Sequence, residues 1–387
     1  MESGVSNEVY QDQILPHVSR TFALTIPQLP AGLRMAVTNA YLLCRIADTI
    51  EDEPALAPAE TSSFMQRFME VVAGRDEPEF LASDLCARLS ERTLATEREL
   101  VSQMGRVISV TAMLTQSQRS AIHRCVALMC YGMPRFQSSA STRGLSRLAD
   151  LDEYCYYVAG VVGEMLTDLF CEYSPAIAHN RGRMHGLAIS FAQGLQMTNI
   201  LKDVWEDHSR GACWLPQELF AQHGVDLAQV HVGLKDPQFA AGMRQLVAIT
   251  HGHLRNALEY TLLIPAAEIG IRRFCLWAIG FAVLTLQKIN QNPNFTAGSQ
   301  VKVSRRAVAV TRVLTDVSGR SDWMLQHLFD VAARGLPLTR IVDARRPHSA
   351  QLAESSYCVE PLLASEKGPL EVELARPLRR SVGSSGK

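Results

Sequence analysis

The chain has 387 residues, of which 47% are hydrophobic and 20% are charged, and its formal net charge is −1. A chain of this length buries a large core, and the composition is typical of a soluble globular protein. The balanced charge, and the lack of an RNP, zinc-finger or basic-region pattern, exclude an ordinary nucleic-acid-binding protein.

In chain order, the pattern begins with a short arm and continues as helices. Residues 1–16 lack the basic and apolar stretches of a signal peptide and are assigned to an N-terminal arm. The first long helix begins at Pro30, a favourable first helical residue, and must end by Pro54. Helical periodicity recurs near residues 61–74, 96–131, 150–173, 184–207, 238–262, 269–290 and 304–334. Strand alternation is nearly absent, so we predict one all-α domain at 17–345 and a polar, flexible tail at 346–387.

Cysteine usage and hydropathy indicate the compartment. Nine scattered cysteines, never spaced as C-x-x-C, favour a reducing environment over a disulfide framework or a zinc site. The longest uncharged apolar run, at 274–287, is too short to span a bilayer, so we expect a buried core helix there. No signal peptide or transmembrane anchor is predicted. We therefore expect a cytoplasmic protein, with peripheral contact at the inner membrane surface.

Two acidic stretches share one pattern. In RIADTIEDEP (45–54) and NILKDVWEDHSRG (199–211), an Asp-x-x-Glu-Asp sequence follows apolar residues. Residues spaced by three, four, seven and eleven share one face of a helix, so each stretch predicts a polar stripe opposite an apolar face. The first stripe contains Tyr41, Arg45, Asp48 and Asp52, with Glu51 beside them. The second contains Gln196, Asn199, Asp203 and Asp207, with Glu206 beside them.

The repetition of the stripe predicts a shared site. A single acidic helix end is usually a solvated surface. Two such stripes, in register with Tyr, Arg, Gln and Asn and on segments apolar enough for the centre of a bundle, favour one cavity. Carboxylates that face each other repel unless a cation lies between them, and all-oxygen ligands suit Mg²⁺, which bridges carboxylate to phosphate. The pattern therefore predicts two helices that bind a diphosphate through Mg²⁺.

Five blocks of the sequence resemble the squalene/phytoene synthase family, and they stand in the family's order. They are SRTF (19–22), YLLCRIADTIED (41–52), YCYYVAGVVGEM (154–165), QMTNILKDVWED (196–207) and WLPQELFAQHGVD (214–226). The resemblance implies an all-α isoprenoid-synthase bundle with a central cavity. It also implies head-to-head condensation of two prenyl diphosphates.

By position, the resemblance implies a role for single residues. The carboxylates that would bind Mg²⁺ are Asp48, Glu51, Asp52, Asp203 and Asp207. The residues that would bind substrate are Ser19, Arg20, Arg45, Gln196 and Asn199. The residues with an implied catalytic role are Tyr41, Arg45, Tyr154 and Lys202. The residues that would meet cofactor phosphates are Arg20, Arg45, Lys202, Lys302 and Arg305.

The segment after the last long apolar helix bears on the product. Squalene synthases resemble one another there in a Val-Lys-x-Arg pattern, whereas this chain reads QVKVSRRAV, with Ser304 in place of an arginine. The resemblance implies squalene synthesis from two molecules of farnesyl diphosphate, through presqualene diphosphate, with NADPH as hydride donor. Squalene would then enter sterol or hopanoid biosynthesis.

Two alternatives stay open. A dehydrosqualene or phytoene synthase would carry out the same condensation and lose a proton instead of accepting hydride. A non-catalytic helical scaffold of the same fold would explain the bundle, but it would not require paired aspartate stripes. A chain-elongating prenyltransferase is disfavoured, because neither motif has the form Asp-Asp-x-x-Asp. The pattern predicts no oligomeric state.

Overall fold

Helices account for nearly all the regular structure. The computed structural model describes residues 5–19, 21–342 and 344–357. No β-strand occurs in these residues, although an isolated bridge joins Leu145 to Pro216. The prediction of a single all-α domain is confirmed for this part of the chain.

The helices follow one another with short connections. Those of the N-terminal half are α1 (Asn7–Val18), α2 (Phe22–Thr25), α3 (Ala31–Asp52), α4 (Pro58–Val72), α5 (Pro78–Cys86), α6 (Ala95–Ser102), α7 (Met104–Met113), α8 (Gln116–Gln137) and α9 (Leu148–Cys155). Those of the C-terminal half are α10 (Val161–Tyr173), α11 (Pro175–Ala178), α12 (Arg181–Ser209), α13 (Gln217–Ala221), α14 (Pro237–Leu262), α15 (Ile269–Gln291), α16 (Gly298–Val301), α17 (Arg305–Ser318), α18 (Asp322–Ala332) and α19 (His348–Tyr357). Short 3₁₀ turns lie at Ile26–Gln28 and Leu227–Gln229, and a π-helical turn at Tyr156–Gly160 joins α9 to α10.

Helix α3 has the bounds that its two flanking prolines predict. Pro30 precedes it with an extended backbone, and Glu53, just before Pro54, is extended again. The helix has 22 residues, a length of about 33 Å at 1.5 Å per residue. It packs against α1, α4, α6, α7 and α8, which bury its apolar face and leave the first acidic stripe at its carboxyl end.

Helices α12, α14 and α15 form the centre of the C-terminal half. Helix α12 has 29 residues and packs along α14, α10 and α15. Among the described helices, α15 is the one long and apolar enough to cross a membrane, but 67% of its most apolar window is buried inside the protein. The prediction of a core helix at 274–287 is therefore confirmed.

Two periodic segments are divided where the sequence predicts continuous helices. Residues 96–131 fall into α6, α7 and α8. The backbone leaves the helical conformation at Gln103, between α6 and α7, and Thr115 starts α8 by accepting a hydrogen bond from Gln118 N. Residues 304–334 fall into α17 and α18, each of which begins with a serine N-cap. A capped start competes with continuation of the preceding helix, and apolar periodicity alone does not reveal it.

The block YCYYVAGVVGEM contains a π turn that its helical periodicity does not predict. Tyr157, inside this turn, lies against Gly132 of α8, where an added Cβ would stand 2.0 Å from the ring carbon Cγ. Farther along, Gly163 allows α10 to approach α12, because a Cβ there would stand 2.5 Å from Ala188 O. These glycines let the helices pack closely around the turn that follows Tyr154.

After α18 the chain returns across the bundle. Thr339 N donates to Ala248 O of α14 at 2.9 Å, and α19 packs on α8. Arg346 Nη2 lies 2.8 Å from the buried carboxylate of Glu164. Composition assigns residues 346–387 to a flexible tail, but 348–357 form α19 because this ion pair and the contact with α8 hold them; the rest of that tail lies outside the described residues.

Candidate active site

The end of α3 and the second half of α12 line one cavity of about 160 Å³. Its carboxylates come from both helices and are Glu51, Asp52, Asp203 and Asp207. The other lining residues are Gln137, Tyr154, Gln196, Asn199, Ile200, Arg210 and Trp214. The two acidic stripes, far apart in the sequence, thus meet at one place.

Burial and mutual repulsion raise the pKa of three carboxyl groups at this cavity, those of Glu51, Asp52 and Asp207. Desolvation raises the pKa of Glu51 well above its ordinary value, and the charges of Asp52 and Asp48 raise it further. Desolvation, together with the charge of Asp203, raises the pKa of Asp207 to about 7. Among the described residues, Glu51 Oε1 is buried without a hydrogen-bond partner. A cation among these oxygens would relieve both effects, because an opposite charge lowers the pKa of a carboxyl group.

Arg45 connects the first stripe to a carboxylate from another helix. Its guanidinium forms an ion pair with Glu97 of α6 and lies 3.6 Å from Asp48 Oδ2. Burial lowers the pKa of Arg45, but the charges of Asp48 and Glu97 outweigh it, and the net shift is upward. Desolvation raises the pKa of Asp48 to about 7 against the opposing charge of Arg45. Neither residue lines the cavity; Asp48 lies one helical turn before Asp52, and Arg45 lies two turns before it.

On α12, Lys202 lies beside a carboxylate of the second stripe, as Arg45 does on α3. Its Nζ lies 3.0 Å from Asp203 Oδ2 and donates to Asn199 Oδ1 at 3.3 Å. Gln196 continues the same face of the helix along the cavity. A cation, two amides and a carboxylate are thereby presented together within about two turns.

An aromatic pair closes one side of the cavity. Tyr154 is buried and stacks on Trp214, with ring centroids 4.2 Å apart and planes 8° apart. Phe136 packs on Tyr154 with a centroid distance of 5.4 Å. Desolvation, followed by the charge of Glu51, raises the pKa of Tyr154 well above its ordinary value, so the phenol stays protonated. Such a wall offers π faces to a cationic group and a hydroxyl donor to an anion.

Tyr41 and Ser19 lie beyond the cavity lining. Tyr41 OH donates to Val18 O at 3.1 Å, and its ring centroid lies 5.2 Å from that of Phe22. Ser19 Oγ accepts from Phe22 N at 3.0 Å, at the start of α2. The structure therefore brings the SRTF block against α3, one turn from Arg45. Arg20 itself lies outside the described residues.

Two of the residues predicted to bind cofactor lie on the outer surface. Lys302 and Arg305 are exposed at the start of α17 and do not line the cavity. Ser304, where an arginine is expected, caps α17 by accepting from Ala307 N at 3.2 Å. The segment before them is tied to the second stripe, since Gly298 N donates to Glu206 Oε1 at 3.0 Å.

The two remaining acids of the motifs, Glu206 and Glu53, accept hydrogen bonds from backbone N–H groups. Glu206 is held by Gly298 N, as described above. Glu53 is buried and accepts hydrogen bonds from Ser90 N and Ala55 N, each at 2.9 Å. Burial raises the pKa of Glu53, but hydrogen bonds from Thr93 and Ser90 outweigh it, and the net shift is downward. These acids fix loops against α3 and α12.

The oxygens of the cavity fit a divalent cation that binds together with a phosphate. Within the described residues, no three His, Cys, Asp or Glu side chains form a complete cage for one ion. Mg²⁺ keeps several waters and is usually held by one or two carboxylates plus substrate phosphates. Carboxylates on two facing walls are therefore a suitable donor set for Mg²⁺ bound with diphosphate.

Comparison with known proteins assigns the family. The sequence model described as squalene/phytoene synthase matches residues 15–307. The chain belongs to that family. Squalene synthase BSS of Botryococcus braunii is 30% identical to this chain over 332 residues, which are 83% of this chain and 67% of that protein. The squalene synthase of Schizosaccharomyces pombe is 26% identical over 333 residues, 84% of this chain and 69% of that protein.

As a member of the squalene/phytoene synthase family, the protein is a prenyltransferase. Solved structures share its fold. A complex of TcSQS with the ligand BPH1237 has a TM-score of 0.65 and 23% identity, covering 85% of this chain and 98% of that one. A ligand complex of a dehydrosqualene synthase has a TM-score of 0.58 and 21% identity, covering 81% and 97%.

Several residues at this prenyltransferase site have no counterpart in the sequence prediction. Arg210 lies seven residues after Asp203 on the same helical face, so extending the stripe would have found it. Trp214 stands in the block WLPQELFAQHGVD, but nothing local shows that it stacks on Tyr154. Glu97 and Gln137 reach the site through tertiary packing, and the sequence carries no signal for them.

Proposed function

We propose that this prenyltransferase condenses two molecules of farnesyl diphosphate into presqualene diphosphate and reduces that product with NADPH to squalene. The observation that carries the proposal is the meeting of carboxylates from α3 and α12 at one cavity, beside the Tyr154–Trp214 stack. The reaction separates a diphosphate anion from an allylic cation, and these charges need different surroundings. The cavity offers a cation-binding wall for one and an aromatic wall for the other.

The residues proposed to hold Mg²⁺ are Asp48, Glu51, Asp52, Asp203 and Asp207. When bound, Mg²⁺ neutralises the negative charge that develops on the departing diphosphate. The unpartnered oxygen of Glu51 and the raised pKa of Asp207 support this set, because both mark carboxylates whose negative charge is incompletely balanced.

Cationic side chains on both helices are proposed to bind the diphosphate oxygens. Arg210 lines the cavity and lowers the pKa of both Asp52 and Asp207 against their desolvation. Lys202 lies beside Asp203, and Arg45 lies beside Asp48. Tyr154 adds a protonated hydroxyl. A diphosphate would thus meet positive charge or donors from several directions.

The aromatic wall is proposed to protect the cation. The C1–O bond of one substrate breaks, and its electron pair leaves with the diphosphate. The double bond of the second substrate then attacks C1, and loss of one proton closes the cyclopropane ring. Tyr154 and Trp214 present π faces that stabilise positive charge, and their stacking with Phe136 behind excludes water from that side.

A dehydrosqualene synthase is the second candidate, and Ser304 favours it. The serine side chain is engaged as the cap of α17, so it does not replace the expected arginine. Lys302 and Arg305 are exposed and still support NADPH binding, because their segment is tied to α12 through Gly298. We retain squalene as the proposed product, made in the cytoplasm at the membrane surface for sterol or hopanoid synthesis.

The product is tested by incubation with farnesyl diphosphate and Mg²⁺, with and without NADPH, followed by mass analysis of the hydrocarbon extract. We expect squalene only with NADPH, and accumulation of presqualene diphosphate without it. Dehydrosqualene that forms regardless of NADPH would establish the second candidate. Failure to release diphosphate under either condition would contradict both, and geranylgeranyl diphosphate in the same assay tests the accepted chain length.

A further inference from the structure

Helices α17 and α18 expose an apolar surface away from the cavity. Four large apolar residues occupy positions i, i+3, i+4 and i+7 of α17 and are exposed: Val310, Val313, Leu314 and Val317. Of these, Val313 is 62% exposed and Val317 is 74% exposed. Trp323, at the start of α18, is 72% exposed. We refer to these five residues as the apolar stripe.

The opposite side of α17 is the one that packs on the bundle. Thr315 is buried there, and its Oγ1 accepts from Trp277 Nε1 of α15 at 2.9 Å. Ser318 is buried on the same side. The apolar stripe is therefore not the edge of the helix face that packs on the core. It points to solvent while the polar residues Thr315 and Ser318 point inward, which reverses the usual arrangement of a surface helix.

Positive charge lies beside the apolar stripe at two places. Arg306 lies one turn before Val310, and Arg320 lies in the turn between α17 and α18; both side chains are exposed. In the described part of the chain, neither arginine is paired with a carboxylate.

The neighbouring acids do not balance these arginines. Asp316 pairs with Arg273 of α15 at 2.8 Å. Asp322 pairs with Arg272, also at 2.8 Å. Both acids are neutralised by arginines of the bundle, so the border of the stripe keeps its positive charge.

We propose that the apolar stripe, with Arg306 and Arg320, is a docking surface for bilayers that contain anionic phospholipids. A helix with an apolar solvent side and basic flanks lies in the interface, with its apolar side chains among acyl chains and its arginines at the headgroups. Tryptophan prefers the same depth. The surface lies outside the catalytic cavity, so the proposal does not depend on the product of the enzyme.

The charge pattern favours lipid over a second copy of the chain. A twofold interface brings the same patch of both copies together. Arg306 and Arg320 from both copies would then lie at the same contact, and the stripe contains no carboxylate to offset their positive charge. Acidic headgroups complement the arginines directly. Single exposed apolar residues are common, but five on two consecutive helices mark an interaction site.

The proposal is tested by flotation of the full-length protein with vesicles of phosphatidylcholine, either alone or mixed with phosphatidylglycerol. We expect binding to the mixed vesicles that weakens with added salt. Val313→Ser/Val317→Ser/Trp323→Ser should abolish it. Arg306→Gln/Arg320→Gln should weaken it about fivefold for each arginine removed. Phe80→Ser/Leu94→Ser, which removes exposed apolar residues near α5 and α6, is the matched control and should bind as the wild type does.

Circular dichroism and thermal scans of each variant show whether it is folded. No flotation of the wild-type protein, or equal binding to neutral vesicles, would overturn the proposal. So would a loss of binding in the Phe80/Leu94 control as large as that in the stripe variant. If light scattering shows a dimer that the stripe variant dissociates, and vesicles do not compete with it, the surface is an interface between copies instead.

Discussion

Arg45 divides its charge between two carboxylates, and this division governs how strongly the first stripe attracts a cation. Glu97 holds the guanidinium as an ion pair, while Asp48 lies 3.6 Å from it. As long as Glu97 holds Arg45, Asp48 is only partly neutralised. Glu97 is therefore a positioning residue that acts through Arg45.

We expect Glu97→Gln to raise the Mg²⁺ concentration for half-maximal activity. Without Glu97, the guanidinium shifts toward Asp48 and competes with the metal. A change of about tenfold, equivalent to ~1.4 kcal/mol, is the expected scale. The measurement is diphosphate release as a function of Mg²⁺. Glu70→Gln, which removes a similar ion pair with Arg75 outside the site, should leave the curve unchanged. An unshifted curve for Glu97→Gln would contradict this role.

Asp207→Asn tests the second stripe. The amide keeps the shape of the side chain but cannot supply the negative charge that a metal–diphosphate pair needs. We expect activity to fall at least about a hundredfold, equivalent to ~2.7 kcal/mol of transition-state stabilisation. Far-ultraviolet circular dichroism should stay as in the wild type. Asp330→Asn, on the exposed side of α18, controls for the substitution itself. Near-wild-type turnover in Asp207→Asn would remove it from the proposed metal set.

The same variant has an expected effect on stability without metal. Desolvation and Asp203 raise the pKa of Asp207 from an ordinary value of 3.8 to about 7. The folded state therefore binds the proton more tightly than the unfolded state, and the stability from this group is lost as pH rises from about 4 to about 7. In thermal scans with a chelator, the wild-type midpoint should fall relative to Asp207→Asn across this window. If the melting temperatures of the two proteins change with pH in the same way, burial does not raise the pKa of Asp207 in the folded protein.

At the level of elements, the π turn at Tyr156–Gly160 shows how one small residue supports the aromatic wall. Tyr157 occupies space that only a glycine at position 132 leaves free. The turn follows directly after Tyr154 and Cys155. The contact with Gly132 of α8 thus holds the turn that separates α9 from α10.

We expect Gly132→Ala to destabilise the fold by about 1–3 kcal/mol, because the added methyl group would stand 2.0 Å from the Tyr157 ring. Gly186→Ala is the matched control. It also lies inside a long helix, but nothing stands within 4 Å of its added Cβ. There the change should stabilise by roughly 0.5–1 kcal/mol. Chemical denaturation measures both. Equal effects of the two substitutions would show that the Gly132 contact is not tight.

Local rules account for the elements that sequence predicted well. Prolines fix the two ends of α3, and apolar periodicity marks α12, α14 and α15 because their buried faces are long. The stripes follow from the same spacing. By contrast, the break before Thr115 and the π turn depend on one hydrogen bond or one contact, and Glu97 reaches Arg45 from a separate helix. These three features depend on contacts in the folded structure, and no local pattern in a single sequence predicts them.

At the level of the whole molecule, the last described helix completes the first half of the bundle. Arg346 pairs with buried Glu164, and Ser349 meets Tyr157 OH at 2.9 Å. Removing one partner of a buried ion pair typically costs about 3–5 kcal/mol, because the other charge stays buried. Arg346 and the last described helix therefore contribute to the stability of the helices that carry the aromatic wall.

Two truncations test this contribution. A chain that ends after residue 357 keeps α19 and should unfold at nearly the wild-type temperature. A chain that ends after residue 345 loses Arg346 and Ser349, and we expect it to be less stable by about 3 kcal/mol. Thermal scans of both proteins, with Arg346→Met in the full chain as a third sample, separate the ion pair from the helix. Equal midpoints for the two truncations would contradict the assignment.

The ion pair between Glu164 and Arg346 also has a consequence for biosynthesis. The two residues are 182 positions apart in the chain. At a synthesis rate of 5–20 residues per second, roughly 10 to 40 s pass between the appearance of the carboxylate and that of its counter-charge. During that time Glu164 has the Tyr156 hydroxyl and the charge of Arg124 nearby but not its ion-pair partner, and the surface of α8 that α19 covers is open. The nascent enzyme therefore reaches its final bundle only after α19 has been synthesised, and this interval is when a chaperone would have most to protect.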